Sequence, residues 1–248
     1  MIARPQNMFQ TMPDSTAELV HSLNRDGFSV ARGVISAGML ADLRNLCVQL
    51  PDQLQARRNG ESYGVRQLLN ALPTLREIVA APPFIDLARA VLGDAAHPVK
   101  GVFFDKTPGA NWPVPWHQDV TIIVQDRRDV PGFEMRPVKD GVVHMVPPVE
   151  VSENLLTLRI HLDDSSPDHG ALRVIPGSHL AGRMLPAEVN DWRAKSNEHV
   201  VDVAAGDVML MRPLLLHASS ACRNPGHRRV VHIEYSANDL PGGLLWAG

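Results

Sequence analysis

The pattern of apolar and polar residues divides the chain into a helical part and a β-rich part. In the first part, apolar residues recur at i, i+3 and i+4, which predicts amphipathic helices. Ser15 and Glu18 fit a capping box at the start of the first helix, Ser36 can cap the second, and Gly93 ends the third. The predicted elements are helices at 15–27, 36–47 and 82–93 and a strand at 28–36.

From about residue 99 the apolar segments become short and β-rich, and Pro, Gly, Asp or Asn separate them. That spacing is typical of a β-sandwich or barrel. The predicted strands are 99–106, 155–164, 170–175, 199–204, 207–211 and 229–236. We therefore predict one mainly β domain over 1–248, in which a helical layer of about 1–98 packs on a β core of about 99–248.

Two long segments, 51–72 and 121–154, carry no clear pattern. Long connections inside a compact domain are often lids or binding loops. Segment 51–72 fits surface decoration equally well. Segment 121–154 directly follows the chemically distinctive residues at 117–119, so we expect it to be a lid.

Composition narrows the range of partners. The chain has 248 residues, of which 44% are hydrophobic, enough for a sizeable core. The net charge of −3 and the lack of a basic block argue against nucleic acid or an anionic membrane as partner, and the apolar runs are too short for a membrane span. Cys47 and Cys222 are the only cysteines, and the first residues lack the apolar core of a secretion signal. We expect a cytoplasmic protein that acts on a small molecule.

The stretch PVPWHQDVT (113–121) places His117 and Asp119 two residues apart. In a strand, such side chains share a face, so an imidazole and a carboxylate would face one cavity while Gln118 points away. A buried carboxylate without a partner is costly. A metal ion between the two side chains would satisfy both, and it would need at least one more ligand.

His217 is the strongest candidate for that ligand among the 11 histidines, because it follows a turn, a strand and a proline and precedes a polar stretch. Two histidines and one carboxylate form the facial triad of non-haem Fe(II) oxygenases, which leaves coordination positions open. Arg228 can return to the same cavity after a hairpin turn, and arginine suits bidentate binding of a carboxylate. His144 and His161 are expected to be ordinary core or surface residues, and His179 to be structural.

Four stretches, taken together, carry a resemblance to a known family. They are WHQD (116–119), HLDDSSPDHGALRVIPGSH (161–179), GDVMLMRPLLLHAS (206–219) and HRRVVHIEY (227–235). With them the chain resembles the phytanoyl-CoA dioxygenase family of Fe(II)- and 2-oxoglutarate-dependent oxygenases. The resemblance implies a double-stranded β-helix, or jelly roll, with Fe(II) near one open end, 2-oxoglutarate as cosubstrate and O2 as oxidant.

The resemblance also implies roles for individual residues. His117, Asp119 and His217 would hold Fe(II). Arg228 would pair with the distal carboxylate of 2-oxoglutarate, and the Ser219 hydroxyl would hydrogen-bond the same group.

Lys106 and Arg159 are further candidates for cosubstrate binding. Lys106 occupies a place where some relatives bind 2-oxoglutarate with a lysine, and Arg159 is at a position that can face the cosubstrate. A structural ion pair is the alternative for both. Arg229 should face away from the site, because adjacent residues on a strand point in opposite directions.

The expected reaction is hydroxylation of an unactivated C–H bond of a small molecule, with release of succinate and CO2. Asp119 stands where halogenating relatives carry a small residue, which favours hydroxylation. A cupin-like metal-dependent isomerase or hydrolase without 2-oxoglutarate is the main alternative, but it gives Arg228 and Ser219 no task. A non-catalytic binding protein is a second.

The substrate is expected to lie under 121–154 and parts of 51–72 and 183–198. Basic residues in these segments could bind an anionic group or could simply be solvated. They are Arg66, Arg127, Arg128, Arg136 and Lys139.

Overall fold

The computed structural model describes residues 15–50, 55–58, 61–138, 141–223 and 226–248. Most of the α-helices of the described residues lie before residue 93. They are α1 (Thr16–Asp26), α2 (Ala37–Val48), α3 (Leu68–Ala71), α4 (Pro73–Val79), α5 (Phe84–Leu92), and later α6 (Val149–Glu153) and α7 (Pro186–Lys195).

The strands within the described ranges are mostly short. They are β1 (Phe28–Ala31), β2 (Gln55–Arg58), β3 (Glu61–Val65), β4 (His97–Lys106), β5 (Val114–His117), β6 (Ile122–Val124), β7 (Glu134–Met135), β8 (Val143–Val146), β9 (Leu155–His161), β10 (Leu172–Val174), β11 (His199–Val201), β12 (Val208–Met211), β13 (His217–Ser219) and β14 (Arg228–Ser236).

These strands form three antiparallel sheets. The largest has the order β1-β12-β9-β14-β4-β3-β2, the second β11-β10-β13-β5, and the smallest β6-β8-β7. Leu172 and Val174 of the second sheet pack with Met209 and Met211 of the first, so the first two sheets enclose a common core. This is the jelly roll with a helical layer that the sequence predicts.

The large sheet has two chemically different faces. In β9, Leu156, Leu158 and Ile160 pack in the cluster that includes the helical layer. Side chains alternate along a strand, so the intervening Arg159 and His161 point to the inner face, between the sheets. The same alternation in β14 turns Val231, Ile233 and Tyr235 to the helices and Arg228, His232 and Glu234 inward. The strands therefore carry a row of polar groups into the interior.

The helix ends confirm the predicted capping signals. Glu18 N donates to Ser15 Oγ, and Ser15 N donates to the Glu18 carboxylate, which completes the capping box. The Ser36 hydroxyl accepts from Met39 N at the start of α2. Gly93 ends α5.

The remaining predictions need correction in three places. The strand predicted at 28–36 ends at Ala31, because the chain turns at Gly33, where φ is 61° and the backbone N–H donates to the Asp207 carboxylate. Segment 51–72 contains β2, β3 and α3, and segment 121–154 contains the small sheet and α6. The first hundred residues thus add β1, β2 and β3 to the large sheet rather than forming a purely helical layer.

In the described part of the chain, none of the helices combines the length and the apolar character that crossing a lipid bilayer would take.

Candidate active site

Two histidines face each other across neighbouring strands of the second sheet. His117 ends β5 and His217 begins β13, and the two are direct antiparallel partners with ring centroids 4.2 Å apart. Asp119 lies two residues beyond the end of β5, where its backbone N–H donates to Pro213 O at 2.9 Å. Ligand atoms of His117, Asp119 and His217 all lie within 4.8 Å of one another. The predicted triad is therefore assembled from one strand pair and the turn that follows it.

The histidine rings present the correct nitrogen to a metal. Nδ1 of His117 lies 2.8 Å from Pro115 O, and Nδ1 of His217 lies 2.9 Å from Leu215 O, so each Nδ1 carries the proton that it donates. Each Nε2 then keeps its lone pair. These Nε2 atoms lie 3.6 and 3.7 Å from the two oxygens of Asp119. A backbone carbonyl that orients the ring in this way is a common arrangement at metal-binding histidines.

Burial and neighbouring charges keep His217 and Asp119 in protonation states that can bind a cation. Burial lowers the pKa of His217 to about 4, so this ring is neutral near pH 7. Burial also raises the pKa of Asp119, but its interactions with His217 and His117 outweigh that effect and hold the pKa well below the usual range. The site thus offers a carboxylate and a neutral imidazole in the ligand forms that a divalent metal needs.

A second cluster lies where β4, β13 and β14 meet. Lys106 and Arg228 are direct partners across β4 and β14. Lys106 Nζ donates to Ser219 Oγ at 2.9 Å and to Ser220 O at 2.5 Å, and Arg228 NH1 donates to Gly170 O at 2.6 Å. Within the described ranges neither cation forms an ion pair, and Arg228 Nε is buried without a partner. Two buried cations and a hydroxyl therefore converge on one space.

These surroundings disfavour the charged form of Lys106. Burial, with the positive charges of Arg228 and Arg159, lowers the pKa of Lys106 to about 7. The ammonium is only partly populated near neutral pH until an anion arrives.

A third cluster crosses β9, β14 and β4 on the same inner face. Arg159 NH1 lies 3.1 Å from His232 Nδ1, and His232 Nε2 lies 3.5 Å from Glu234 Oε1. Lys100 Nζ donates to the same Glu234 oxygen at 2.6 Å. An arginine can only donate, so His232 Nδ1 accepts and the ring proton lies on Nε2, facing Glu234.

All seven residues singled out by the sequence border one cavity of about 360 Å³: His117, Asp119, His217, Arg228, Ser219, Lys106 and Arg159. Gln118 points elsewhere, as predicted, and hydrogen-bonds Gly182 O and Leu214 O. Arg229 also turns away, and its guanidinium binds Asp163 at 2.8 Å. The adjacent residues Arg228 and Arg229 thus point to opposite faces of β14, as the alternation of side chains along a strand requires.

The sequence did not single out His232, which borders this cavity. Its only local signal is a position four residues after Arg228, which places it on the same face of β14. His161 is a core residue, as expected, but neither of its ring nitrogens has a hydrogen-bond partner among the described residues. His179 is structural as predicted, with Nε2 3.2 Å from Asn24 O.

An outer cavity of about 530 Å³ adjoins the inner one, and both are bordered by Arg66, Lys100, Val102 and Phe104. Residues of 121–154, including Ile123 and Arg136, form one of its walls. No residue of 183–198 borders either cavity. Arg128 is instead bound to Gly243 O, and Lys139 lies outside the described residues.

A model of the family described as phytanoyl-CoA dioxygenase (PhyH) matches residues 23–230. The chain belongs to the phytanoyl-CoA dioxygenase family. Family membership confirms the resemblance read from the four sequence stretches and identifies the chain as a 2-oxoglutarate-dependent oxygenase. Iron and 2-oxoglutarate are the metal and cosubstrate of this class, and the His117, Asp119 and His217 cluster is the candidate iron site.

Individual relatives are distant. A probable phytanoyl-CoA dioxygenase of Caenorhabditis elegans is 30% identical over 86 residues, which cover 29% of this chain and 27% of that protein. The ectoine dioxygenase of Sphingopyxis alaskensis is 22% identical over 90% of this chain and 76% of its own length. The crystal structure of AviO1 from Streptomyces viridochromogenes Tue57 superposes with a TM-score of 0.68 at 25% identity, covering 94% of this chain and 98% of that one.

Proposed function

We propose that this member of the phytanoyl-CoA dioxygenase family hydroxylates an unactivated C–H bond of a small molecule, using Fe(II), 2-oxoglutarate and O2 and releasing succinate and CO2. The observation that carries the proposal is the meeting of two clusters in one cavity. One is a two-histidine, one-carboxylate metal site, and the other is a pair of buried cations, Arg228 and Lys106, that form no ion pair among the described residues.

The metal cluster suits a ferrous ion. Two imidazole nitrogens and one carboxylate match the facial triad of non-haem iron oxygenases, which leaves other coordination positions for the cosubstrate and O2. Backbone carbonyls hold the rings of His117 and His217, and the backbone N–H of Asp119 donates to Pro213 O. The three ligands are therefore oriented before a metal arrives.

The cationic cluster suits the distal carboxylate of 2-oxoglutarate. Arg228 has donors left over, Lys106 is adjacent, and the Ser219 hydroxyl lies 2.9 Å from Lys106 Nζ. A charge-assisted contact with two cations compensates for taking the carboxylate out of water. Arg159 borders the same space from β9, with its guanidinium directed by His232.

When bound, iron, 2-oxoglutarate and O2 would supply the oxidising power that breaks the C–H bond. The chain itself contributes orientation and a dry environment. Arg228, Lys106 and Ser219 would hold one end of the cosubstrate, His117, Asp119 and His217 would hold the iron that binds its other end, and the apolar walls formed by Val102, Phe104 and Leu172 exclude water.

A small-molecule substrate is supported by the size of the two cavities, about 360 and 530 Å³. The related ectoine dioxygenase is, by its name, also an enzyme of small-molecule metabolism. A cytoplasmic location is supported by the two cysteines, Cys47 and Cys222, which are both free and buried.

The decisive experiment is an anaerobic visible spectrum of the metal-free protein mixed with Fe(II) and 2-oxoglutarate. We expect a weak charge-transfer band in the native protein and none in His217→Ala, because the band requires the cosubstrate to chelate a correctly held iron. Admission of air should then release succinate.

Iron binding without the band, and without succinate, would overturn the proposal. A cupin-like isomerase or hydrolase, which needs a metal but no 2-oxoglutarate, would then explain the triad. The band without turnover of any compound in a broad panel would instead favour the non-catalytic binding protein.

A further inference from the structure

We propose that Arg159 receives a carboxylate of the substrate, so that the substrate is an acid with an apolar body. This inference deepens the proposed function and rests on it. It assigns Arg159 to the substrate, whereas Arg228, Lys106 and Ser219 serve the cosubstrate.

Arg159 is a buried cation with unused hydrogen-bond donors. The residue is 6% exposed, and its only hydrogen bond within the described ranges runs from NH1 to His232 Nδ1. Its Nε is buried without a partner, and no carboxylate of the described residues pairs with it. A guanidinium has five N–H donors, and a buried charge without a counterion is costly. The side chain is therefore built to meet an anion that the chain itself does not provide.

The neighbours of Arg159 hold its guanidinium in one direction. His232 accepts from NH1 and faces Glu234 with its other nitrogen, while Glu234 is in turn neutralised by Lys100. Glu234 therefore has its own cation and leaves Arg159 unneutralised. The Phe104 ring lies 5.9 Å from the guanidinium carbon and limits its movement. His232 and Glu234 are positioning residues, and the remaining donors of Arg159 are left for a ligand.

The charges of the occupied site leave Arg159 without a partner. Asp119 and one carboxylate of 2-oxoglutarate would be taken by the metal, and the other carboxylate by Arg228. Even with Lys106 neutral, the positive charges of Fe(II), Arg228 and Arg159 then exceed the negative charges of Asp119 and 2-oxoglutarate by one. In a buried site this excess is unfavourable. A substrate carboxylate at Arg159 removes it and adds a bidentate contact.

The walls of the outer cavity indicate what the rest of the substrate is like. It opens from the Arg159 cavity past Val102 and Phe104, and its other walls include Ile123, Val138 and Val142. An apolar body fits these walls. Because Arg159 borders the same cavity as the metal ligands, the carbon that is oxidised lies close to the carboxylate.

The test uses the whole protein, loaded anaerobically with Fe(II) and 2-oxoglutarate, and two probes of equal size, hexanoate and hexanamide. Binding is measured by calorimetry and by ligand-observed NMR, so the readout does not depend on turnover. We expect hexanoate to bind at least about tenfold more tightly than hexanamide, the effect of one charge-assisted contact.

Arg159→Met should abolish that preference, and Arg159→Lys should keep part of it. Both variants should retain the charge-transfer band and bind 2-oxoglutarate within about threefold of the native affinity, a change below about 1 kcal/mol. Because Arg159 is an uncompensated buried charge in the ligand-free protein, Arg159→Met should not lower the melting temperature. A melting temperature at least as high as that of the native protein would show that the variant is folded.

Four outcomes would overturn the inference. Equal binding of hexanoate and hexanamide would do so, as would no hexanoate binding below about 10 mM, since that is weaker than one good ionic contact. Loss of 2-oxoglutarate affinity in Arg159→Met as large as in Arg228→Met would assign Arg159 to the cosubstrate. Loss of the preference in Arg136→Met but not in Arg159→Met would place the anion at the cavity rim. Absence of the band in the native protein would instead refute the proposed function.

Discussion

At the scale of single residues, the chemistry is set by charges that the fold buries before any ligand binds. Lys106 shows this most clearly. Burial, with Arg228 and Arg159 nearby, lowers its pKa to about 7, whereas a free lysine titrates near pH 10.4. An arriving carboxylate stabilises the ammonium form and raises that pKa again. Binding of 2-oxoglutarate is therefore coupled to proton uptake by Lys106.

This coupling predicts how affinity depends on pH. Below about pH 7, Lys106 is already protonated and affinity should be flat, whereas above pH 7 the Kd should rise by up to about tenfold per pH unit, since one proton is taken up. The measurement is an anaerobic titration of the iron-loaded protein with 2-oxoglutarate between pH 7 and 9. Lys106→Met should bind more weakly and lose most of this slope. A native affinity that does not change over this range would contradict the coupling.

Single residues of the site also differ in whether the local sequence could predict them. His117, Asp119, His217 and Arg228 were predictable because each belongs to a short motif with a chemical meaning. His232 was not, because its importance depends on its pairing with Arg159 across β9 and β14, 73 positions apart in the chain. The unpaired state of Arg159 depends in the same way on which acids fold beside it.

At the scale of elements, one turn positions both cations of the cosubstrate cluster. Gly170 O accepts from Arg228, and Ser220 O, which accepts from Lys106, lies against Gly170. Gly170 has φ of 65°, and a Cβ there would lie 2.5 Å from Ser220 O. Only glycine lets the chain approach so closely.

We therefore expect Gly170→Ala to weaken 2-oxoglutarate binding by about tenfold or more, because both carbonyls that hold Arg228 and Lys106 must shift. The triad comes from other strands, so iron binding should remain. Gly33→Ala is the matched control, since Gly33 has φ of 61° and a Cβ there would meet nothing within 4 Å. It should lower stability by about 1 kcal/mol, the usual cost of a left-handed residue, without changing affinity. Equal 2-oxoglutarate affinity in the two variants would refute the role of this turn.

Element boundaries were predictable where a side chain or a glycine ends the element. The Ser15 and Ser36 caps and the Gly93 end lie where the sequence placed them. The small sheet within 121–154 was not predicted, because its strands have only two to four residues and are stabilised by pairing with one another. A period of two cannot be recognised over so few positions.

At the scale of the whole molecule, the helical layer and the jelly roll are joined by apolar packing and by a few charged contacts. The fold class was predictable because six β-rich segments follow one another with Pro, Gly, Asp or Asn between them, a spacing that indicates a sandwich or barrel even where the strands are short. The sheet order was not, because β1, β2 and β3 pair with strands that follow them in the chain or with each other, and no local pattern specifies such partners. The charged contacts between the helical layer and the jelly roll could not be predicted from the sequence either.

Asp163 is the clearest of these contacts. It follows β9, accepts from the backbone N–H and the guanidinium of Arg229 on β14, and lies 3.4 Å from Arg44 of α2. Burial raises the pKa of Asp163, but its bonds to Arg229 outweigh that effect, so the net pKa is lowered. The carboxylate therefore stabilises the fold above the pKa of an unfolded aspartate, about 3.9, and that contribution is lost as pH falls below it.

We predict that Asp163→Asn lowers the free energy of unfolding by about 2 to 3 kcal/mol at pH 7, because several hydrogen bonds to a charged group are weakened. The difference from the native protein should shrink as urea unfolding is repeated toward pH 3, since Asp163 then takes up a proton in the unfolded chain, which favours unfolding of the native protein but not of the variant. Asp168→Asn is the control: its ion pair with Arg223 is exposed on both sides, so the change should be below about 0.5 kcal/mol. An Asp163→Asn defect that is as large at pH 3 as at pH 7 would mean that shape rather than charge joins the two layers at this point.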